Sequence, residues 1–244
     1  MSDHAPLLNE TDNYGPAFMR VAERLGSYDT TREDAAQVVE LIGLTPRSKV
    51  LDAGCGFGRF AAALFEHGCD AVGVDISPVA VAEAERRCPG PVYLVADLLR
   101  PLPDGVGPFD ALVSMYSSYG YGETEAEDMV MLRAFHGALK PGGRMVMQLS
   151  DLERSRHRLK TDEGVVVRET NGVTETLDVD FSTGMLHVRY ELGDDVVDSR
   201  IRMYEAEDLR RMVEEAGFHG VERYGDFAKS TKRPEDRLVL VATA

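Results

Sequence analysis

Apolar and polar positions follow two alternating rhythms along this chain. Short apolar runs occur at Val50-Leu51, Ala71–Val74, Val92–Val95, Phe109–Val113 and within Arg144–Leu149. Runs of this length, rich in Val and Leu and bounded by turn residues, read as strands of a parallel sheet covered on both faces. Between them lie segments of helical character: Phe57–Phe65, the stretch opened by Ser77-Pro78, and Glu123–Ala138. Ser77 is placed as an N-cap, with Pro78 at the first helical position. Two helices precede the first strand, Ala17–Leu25 and Thr31–Ile42, the second with Thr30 and Glu33 spaced as a capping box. The alternation of strands and helices predicts an α/β fold with a mostly parallel sheet.

The rhythm changes after Leu149. Val165–Val167, Thr174–Phe181, Met185–Leu192 and Val196–Met203 read as strands, separated by Asn171-Gly172, Ser182-Thr183-Gly184 and Gly193-Asp194-Asp195. These are hairpin signals, so an antiparallel sheet is expected here, inserted after the fifth strand. A helix from Glu205 to Ala216, with Gly217 as its C-cap, then resumes the first pattern. Strands around Val221–Tyr224 and Leu238–Val241 complete a sheet of seven.

The chemistry concentrates at the carboxyl ends of the predicted parallel strands. Val50-Leu51-Asp52-Ala53 runs straight into Gly54, Gly56 and Gly58 at alternate positions. Glycines let the backbone turn sharply and bring N–H groups close to a ligand. The spacing is not the G-x-G-x-x-G of a pyrophosphate-binding loop. Roughly twenty residues on, where a ribose-binding acid is expected, Asp75 ends the second strand. Asp97 ends the third, where a carboxylate can meet an adenine amino group.

Together, Val-Leu-Asp-Ala-Gly-Cys-Gly-Phe-Gly, Val-Gly-Val-Asp75, Ala-Asp97, Phe-Asp-Ala-Leu-Val and Leu-Lys-Pro-Gly-Gly resemble, in order, the class I, Rossmann-like S-adenosylmethionine-dependent methyltransferases. The resemblance implies a doubly wound seven-stranded sheet, with S-adenosyl-L-methionine as cofactor and S-adenosyl-L-homocysteine as product. It implies cofactor contacts from Asp52, Gly54, Cys55, Gly56, Gly58, Asp75, Ile76, Ala96, Asp97, Leu98 and Met115. In such enzymes N-terminal helices close over the site, so Tyr14, Arg20 and Tyr28 are expected to line it. The implied organisation is a helical cap (1–45), a cofactor-binding core (46–150), an inserted β lid (151–204) and a C-terminal completion of the core sheet (205–244). The lid and the Tyr-Ser-Ser-Tyr-Gly-Tyr stretch at 116–121 resemble bacterial small-molecule methyltransferases, including amino-sugar N-methyltransferases and glycine N-methyltransferase-like enzymes.

The implied reaction is displacement at a sulfonium methyl by an N or O nucleophile, served mainly by alignment and dehydration. A general base would help such a nucleophile. His157, in the basic run Arg154–Lys160, is the best-placed histidine for that role, and Tyr116 and Tyr119 are expected at the mouth where substrate and methyl meet. The Arg154–Lys160 run is also able to receive a substrate carboxylate or phosphate, or to be a solvated loop.

Composition narrows the partners. The chain has 42 acidic and 27 basic residues, a net charge of −15, which disfavours nucleic acid. Its three cysteines have no ligand spacing, so no metal site is expected. No apolar run is long enough to span a bilayer, and the first ten residues carry no apolar signal core. A soluble, cytoplasmic protein acting on a small molecule in specialised metabolism is expected, with a homodimer as one allowed assembly. A protein or RNA methyltransferase, a non-methylating cyclase-like enzyme and a regulatory cofactor-binding protein stay open as alternatives.

Overall fold

The apolar runs form strands because helices cover both faces of the sheet they build. The structure is a computed structural model that describes residues 15–26, 30–103, 105–159 and 165–244. Two helices come first, α1 (Pro16–Arg24) and α2 (Thr31–Ile42). The core then alternates β1 (Lys49–Ala53), α3 (Arg59–Glu66), β2 (Asp70–Asp75), α4 (Pro78–Arg87), β3 (Val92–Val95), β4 (Phe109–Ser114), α5 (Glu125–Ala138) and β5 (Leu139–Leu149). After helix α6 (Leu152–Leu159) come β6 (Val165–Thr170), β7 (Val173–Asp180), β8 (Met185–Leu192) and β9 (Asp195–Arg202). The chain closes with α7 (Ala206–Glu215), β10 (His219–Tyr224) and β11 (Leu238–Thr243).

The seven-stranded sheet has the order β10-β11-β5-β4-β1-β2-β3, parallel except for β11, which runs antiparallel to β5 and β10. This is the expected Rossmann-like sheet. Alternate residues of each strand enter opposite layers. Leu51, Leu112, Met145 and Met147 pack with Leu132 and Phe135 of α5 and Leu209 of α7 on one face. Val50, Val113 and Val146 pack with Val38 of α2 and Phe60 and Leu64 of α3 on the other. Strand order reverses between β1 and β4, and the crevice above such a reversal is where open α/β sheets bind ligands.

The inserted strands form the expected antiparallel sheet, in the order β6-β7-β8-β9. Asn171 and Gly172 both have left-handed φ (+54° and +78°), as a two-residue hairpin turn requires. Helix α1 is bound to this sheet, with Val21 buried against Val173 and Val197. Helix α6 contributes Leu152 to a cluster with Val179 and Met203.

Four local expectations are corrected. The capping box at Thr30 does not form: Thr30 is itself near-helical, and its hydroxyl donates to the Asp34 carboxylate at 2.9 Å instead. The basic run does not leave the core as a loop; its first residues form helix α6. Strand β5 begins at Leu139 rather than Arg144, because Leu139 pairs with Phe109 before the Pro-Gly-Gly segment shifts the register to Ala111–Arg144. Helix α7 ends at Glu215 with Ala216 as its C-cap, and Gly217, at φ +112°, follows that cap.

Candidate functional site

Strand β1 delivers its chain to the crevice and the glycines then fold it back. Gly54, Gly56 and Gly58 all have left-handed φ, +79°, +52° and +78°. Two of them are also demanded by close packing. A Cβ on Gly54 would stand 2.7 Å from Cβ of Ser118, and one on Gly58 would stand 2.6 Å from the Tyr93 hydroxyl. The loop is clamped by Asp75 at the end of β2, whose Oδ2 accepts from the Gly56 N–H at 2.8 Å while Oδ1 accepts from the Ser77 N–H at 2.9 Å. Burial raises the Asp75 carboxyl above the ordinary range. Asp97, after β3, accepts the Leu99 N–H at 2.9 Å.

Asp52 lies beneath the loop, 2% exposed, and accepts the Ala61 N–H in the first turn of α3 at 3.0 Å. Burial pushes its carboxyl up to about 7, against that hydrogen bond and the Arg59 charge, both of which favour ionisation. Burial likewise pushes the Cys55 thiol up, so it is no nucleophile at neutral pH.

The facing wall comes from the segment after β4. Tyr116 and Ser117 both hold positive φ, +57° and +68°, a strained conformation for residues with side chains. Their contacts fix it. The Tyr116 hydroxyl donates to Asp34 of α2 at 2.8 Å, and the Arg59 guanidinium lies 4.2 Å from the centre of its ring. Ser117 donates its N–H to the Gln148 carbonyl at 2.9 Å, and its hydroxyl accepts the Ser150 N–H at 3.0 Å.

Between the two walls lies a cavity of about 660 Å³. Of the residues expected to bind cofactor, Asp52, Gly54, Cys55, Gly56, Asp75, Ile76, Ala96, Asp97, Leu98 and Met115 line it, as does Tyr116. Gly58 does not; it caps α3 underneath, against Tyr93. Three expected residues are placed elsewhere. Tyr119 is 1% exposed, outside the cavity, and donates to the Asp128 carbonyl at 3.1 Å. Its loop is held by the buried Asp128, which also takes the Tyr204 hydroxyl at 2.6 Å and Arg202 at 3.0 Å. Arg20 faces away and makes a forked ion pair with Asp195 of the inserted sheet, at 2.7 and 2.5 Å. His157 stands exposed on α6 and is absent from the cavity wall. Tyr14 and Tyr28 lie outside the described residues.

The cavity also holds residues the sequence reading missed: Phe18 and Val21 of α1, Asp34 of α2, Arg59, Gln148, Tyr190 of β8 and Arg237. Arg237 left little trace in the sequence, as the last residue of the charged stretch Lys232–Arg237 before the apolar run of β11. Among the described residues, no cluster of His, Cys, Asp and Glu is arranged to hold a metal. No described helix is long and apolar enough to cross a membrane.

Residues 50–143, which carry the glycine loop, Asp75, Asp97 and the Tyr116 wall, match the family described as "Methyltransferase domain". The fold around that segment is the class I, Rossmann-like fold of solved S-adenosylmethionine-dependent methyltransferases. An uncharacterized methyltransferase of Synechocystis is 36% identical over 117 residues, covering 48% of this chain and 52% of that one. The chain thus spans about half the length of the first curated relatives it matches. Its fold is similar to that of the CcbJ methyltransferase of Streptomyces caelestis, with a TM-score of 0.75 at 20% identity over 90% of this chain and 95% of that one. It is also similar to CalS10 of Micromonospora echinaspora, an amino pentose methyltransferase solved with S-adenosylmethionine bound: TM-score 0.66, 18% identity, over 93% of this chain and 96% of that one.

The residues of the cavity fit S-adenosylmethionine. Each Asp75 oxygen takes one backbone N–H and keeps a lone pair for a ribose hydroxyl. Ile76 is 46% exposed beside it, an apolar surface suited to a purine ring. Among the described residues Asp97 Oδ2 makes only a long ion pair with Arg100, 3.4 Å, and can still accept from an exocyclic amine.

Proposed function

We propose that this chain transfers a methyl group from S-adenosylmethionine to an N or O nucleophile of a small molecule, in cytoplasmic, specialised bacterial metabolism. The observation that carries this reading is a single cavity with the Asp75 and Asp97 carboxylates at one end and an aromatic and polar wall, Tyr116, Tyr121, Gln148 and Tyr190, at the other. A space of about 660 Å³ falls in the range of small-molecule sites. The bound amino pentose enzyme supports the substrate class.

In this reading Asp75 holds the ribose, Asp97 the adenine amino group, and Ile76 and Leu98 flank the base. When bound, S-adenosylmethionine supplies a methyl carbon already activated by its sulfonium. The protein therefore needs to align the acceptor and exclude water. Phe18 and Val21 of α1 and Tyr190 of the inserted sheet supply the water-excluding wall. Tyr116 keeps its proton, since burial raises its hydroxyl, and acts as a fixed donor and surface rather than a base. No histidine stands among the described cavity residues, so His157 is not assigned the base's role.

The test is calorimetric titration with S-adenosylmethionine and S-adenosylhomocysteine, followed by mass spectrometry of amino sugars and small amines incubated with the cofactor. Binding with a product one methyl heavier is the expected result. Absence of cofactor binding would overturn the reading.

A further inference from the structure

At the end of the cavity away from Asp75 stand two arginines that, among the described residues, make no ion pair with a carboxylate. Arg237 lines the cavity directly before β11. Leu238 pairs with Leu149 and Val239 with Gln148, so the antiparallel register sets Arg237 across from Ser150. Arg154 of α6, just behind the lining residues, donates through Nη1 to the Ser150 hydroxyl at 3.1 Å. Its Nε is buried with no hydrogen-bond partner. Gln148, also in the cavity wall, has a buried Oε1 without a partner.

The neighbouring carboxylates are engaged elsewhere. Asp151 is held by Lys232 at 2.9 Å and by the Arg154 N–H at 2.9 Å, and Lys232 also takes Glu153 at 2.9 Å. Asp34 accepts the Tyr116 and Thr30 hydroxyls. Arg156, on the same helix as Arg154, pairs with Glu205 at 2.5 Å. Among the described residues, neither Arg154 nor Arg237 has an ion pair with a carboxylate. Burial and the charges of Arg237 and Arg158 lower Arg154 to about 10 against the pull of Asp151, and burial and Arg158 lower Arg237 against the pull of Tyr116, Asp34 and Tyr190. Two half-buried cations that repel each other are favoured when an anion joins them.

We propose that this end of the cavity is an anion subsite, in which Arg237 and Arg154 hold a carboxylate or phosphate group of the methyl acceptor. Planar guanidinium forks suit either group and fix its orientation. The Gln148 carbonyl oxygen is then placed to accept an N–H or O–H next to that group. The substrate is accordingly an acidic small molecule, bound in a chain whose net charge is −15 by the cationic corner of its cavity. The assignment rests on the methyl-transfer reading above for the word acceptor; the anion subsite itself does not depend on it.

The experiment compares the wild type with Arg237→Gln and Arg154→Gln, each checked for folding by circular dichroism and thermal melting. Malonate and inorganic phosphate are titrated by calorimetry into protein saturated with S-adenosylhomocysteine, and the affinity for S-adenosylhomocysteine is measured separately. Wild type is expected to bind at least one of the two probes saturably, and which one it prefers separates a carboxylate from a phosphate site. Each variant is expected to weaken that binding about tenfold or more, the loss of a charge-assisted hydrogen bond, while leaving S-adenosylhomocysteine affinity unchanged. If one variant fails to fold, the other decides. No saturable binding to wild type, or equal binding to the variants, overturns the subsite. A loss of S-adenosylhomocysteine affinity in Arg237→Gln also overturns it, since Arg237 would then serve the cofactor's own carboxylate. Should wild type fail to bind S-adenosylhomocysteine, the methyl-transfer reading falls, and the same probes titrated into the unliganded protein still decide the anion site.

Discussion

The two ends of the cavity are built from the same sheet by opposite means. At the Asp75 end, contacts are short in sequence or follow a fixed strand–turn–helix spacing. Asp75 holds Ser77 two residues on and Gly56 nineteen residues back; Asp97 holds Leu99. At the Tyr116 end, contacts bridge distant segments. Tyr116 reaches Asp34, 82 residues away, and the β5–β11 pair sets Arg237 across from Ser150, which Arg154 of α6 bonds. The first end is set by backbone geometry within strand–turn–helix units. The second is assembled from a leading helix, an inserted sheet and the last strand, the parts able to vary without disturbing the first.

This contrast can be broken by substitution. The largest effect is expected at the glycine loop. Gly58→Val sets a branched side chain at φ +78° against the Tyr93 ring, and costs about 2–4 kcal/mol of stability from left-handed strain and overpacking. Urea unfolding would measure this, and a wild-type midpoint would show that the loop yields. Asp75→Ala is expected to weaken S-adenosylhomocysteine binding by about 1–3 kcal/mol, as buried partners lose their acceptor. Unchanged calorimetric affinity would remove Asp75 from the ribose.

A pH effect follows from Asp52. Its folded-state carboxyl, at about 7, lies above the unfolded value near 4, so the folded state binds the extra proton between them. The contribution is complete below about pH 4, and is lost as pH rises through about 7. Asp52→Asn is expected to flatten that decline in stability-versus-pH curves; an equally steep decline in the variant would assign it to other groups. The smallest effect is expected from His157→Ala. With the side chain exposed on α6, turnover should stay within about twofold of wild type, in line with surface substitutions. A large fall in turnover with cofactor affinity intact would return His157 to the site and erase the contrast drawn above.

The parallel strands, the glycine turn, Asp75, Asp97 and the hairpins of the inserted sheet were legible because each is encoded locally. A run of apolar residues, a turn residue with left-handed φ or an acid at a strand end carries its meaning within a few positions. Tyr119 and Tyr116 show where such reading stops. They stand three residues apart in one aromatic loop, yet strained backbone turns Tyr116 toward the cavity while Asp128 and Tyr204 bury Tyr119 behind it. Arg20 and His157 were read from their chemistry, and their helices turned them outward. Arg237 gave little sign, because its role depends on which strand lies opposite and on the carboxylates nearby having other partners. The sequence by itself determined the sheet and the cofactor end, whose residues are placed by strand and turn geometry. Tertiary structure alone decided the Tyr116 end, because which side chains share a cavity depends on how distant helices and sheets dock, and pairing across such distances leaves no periodic signal in the chain.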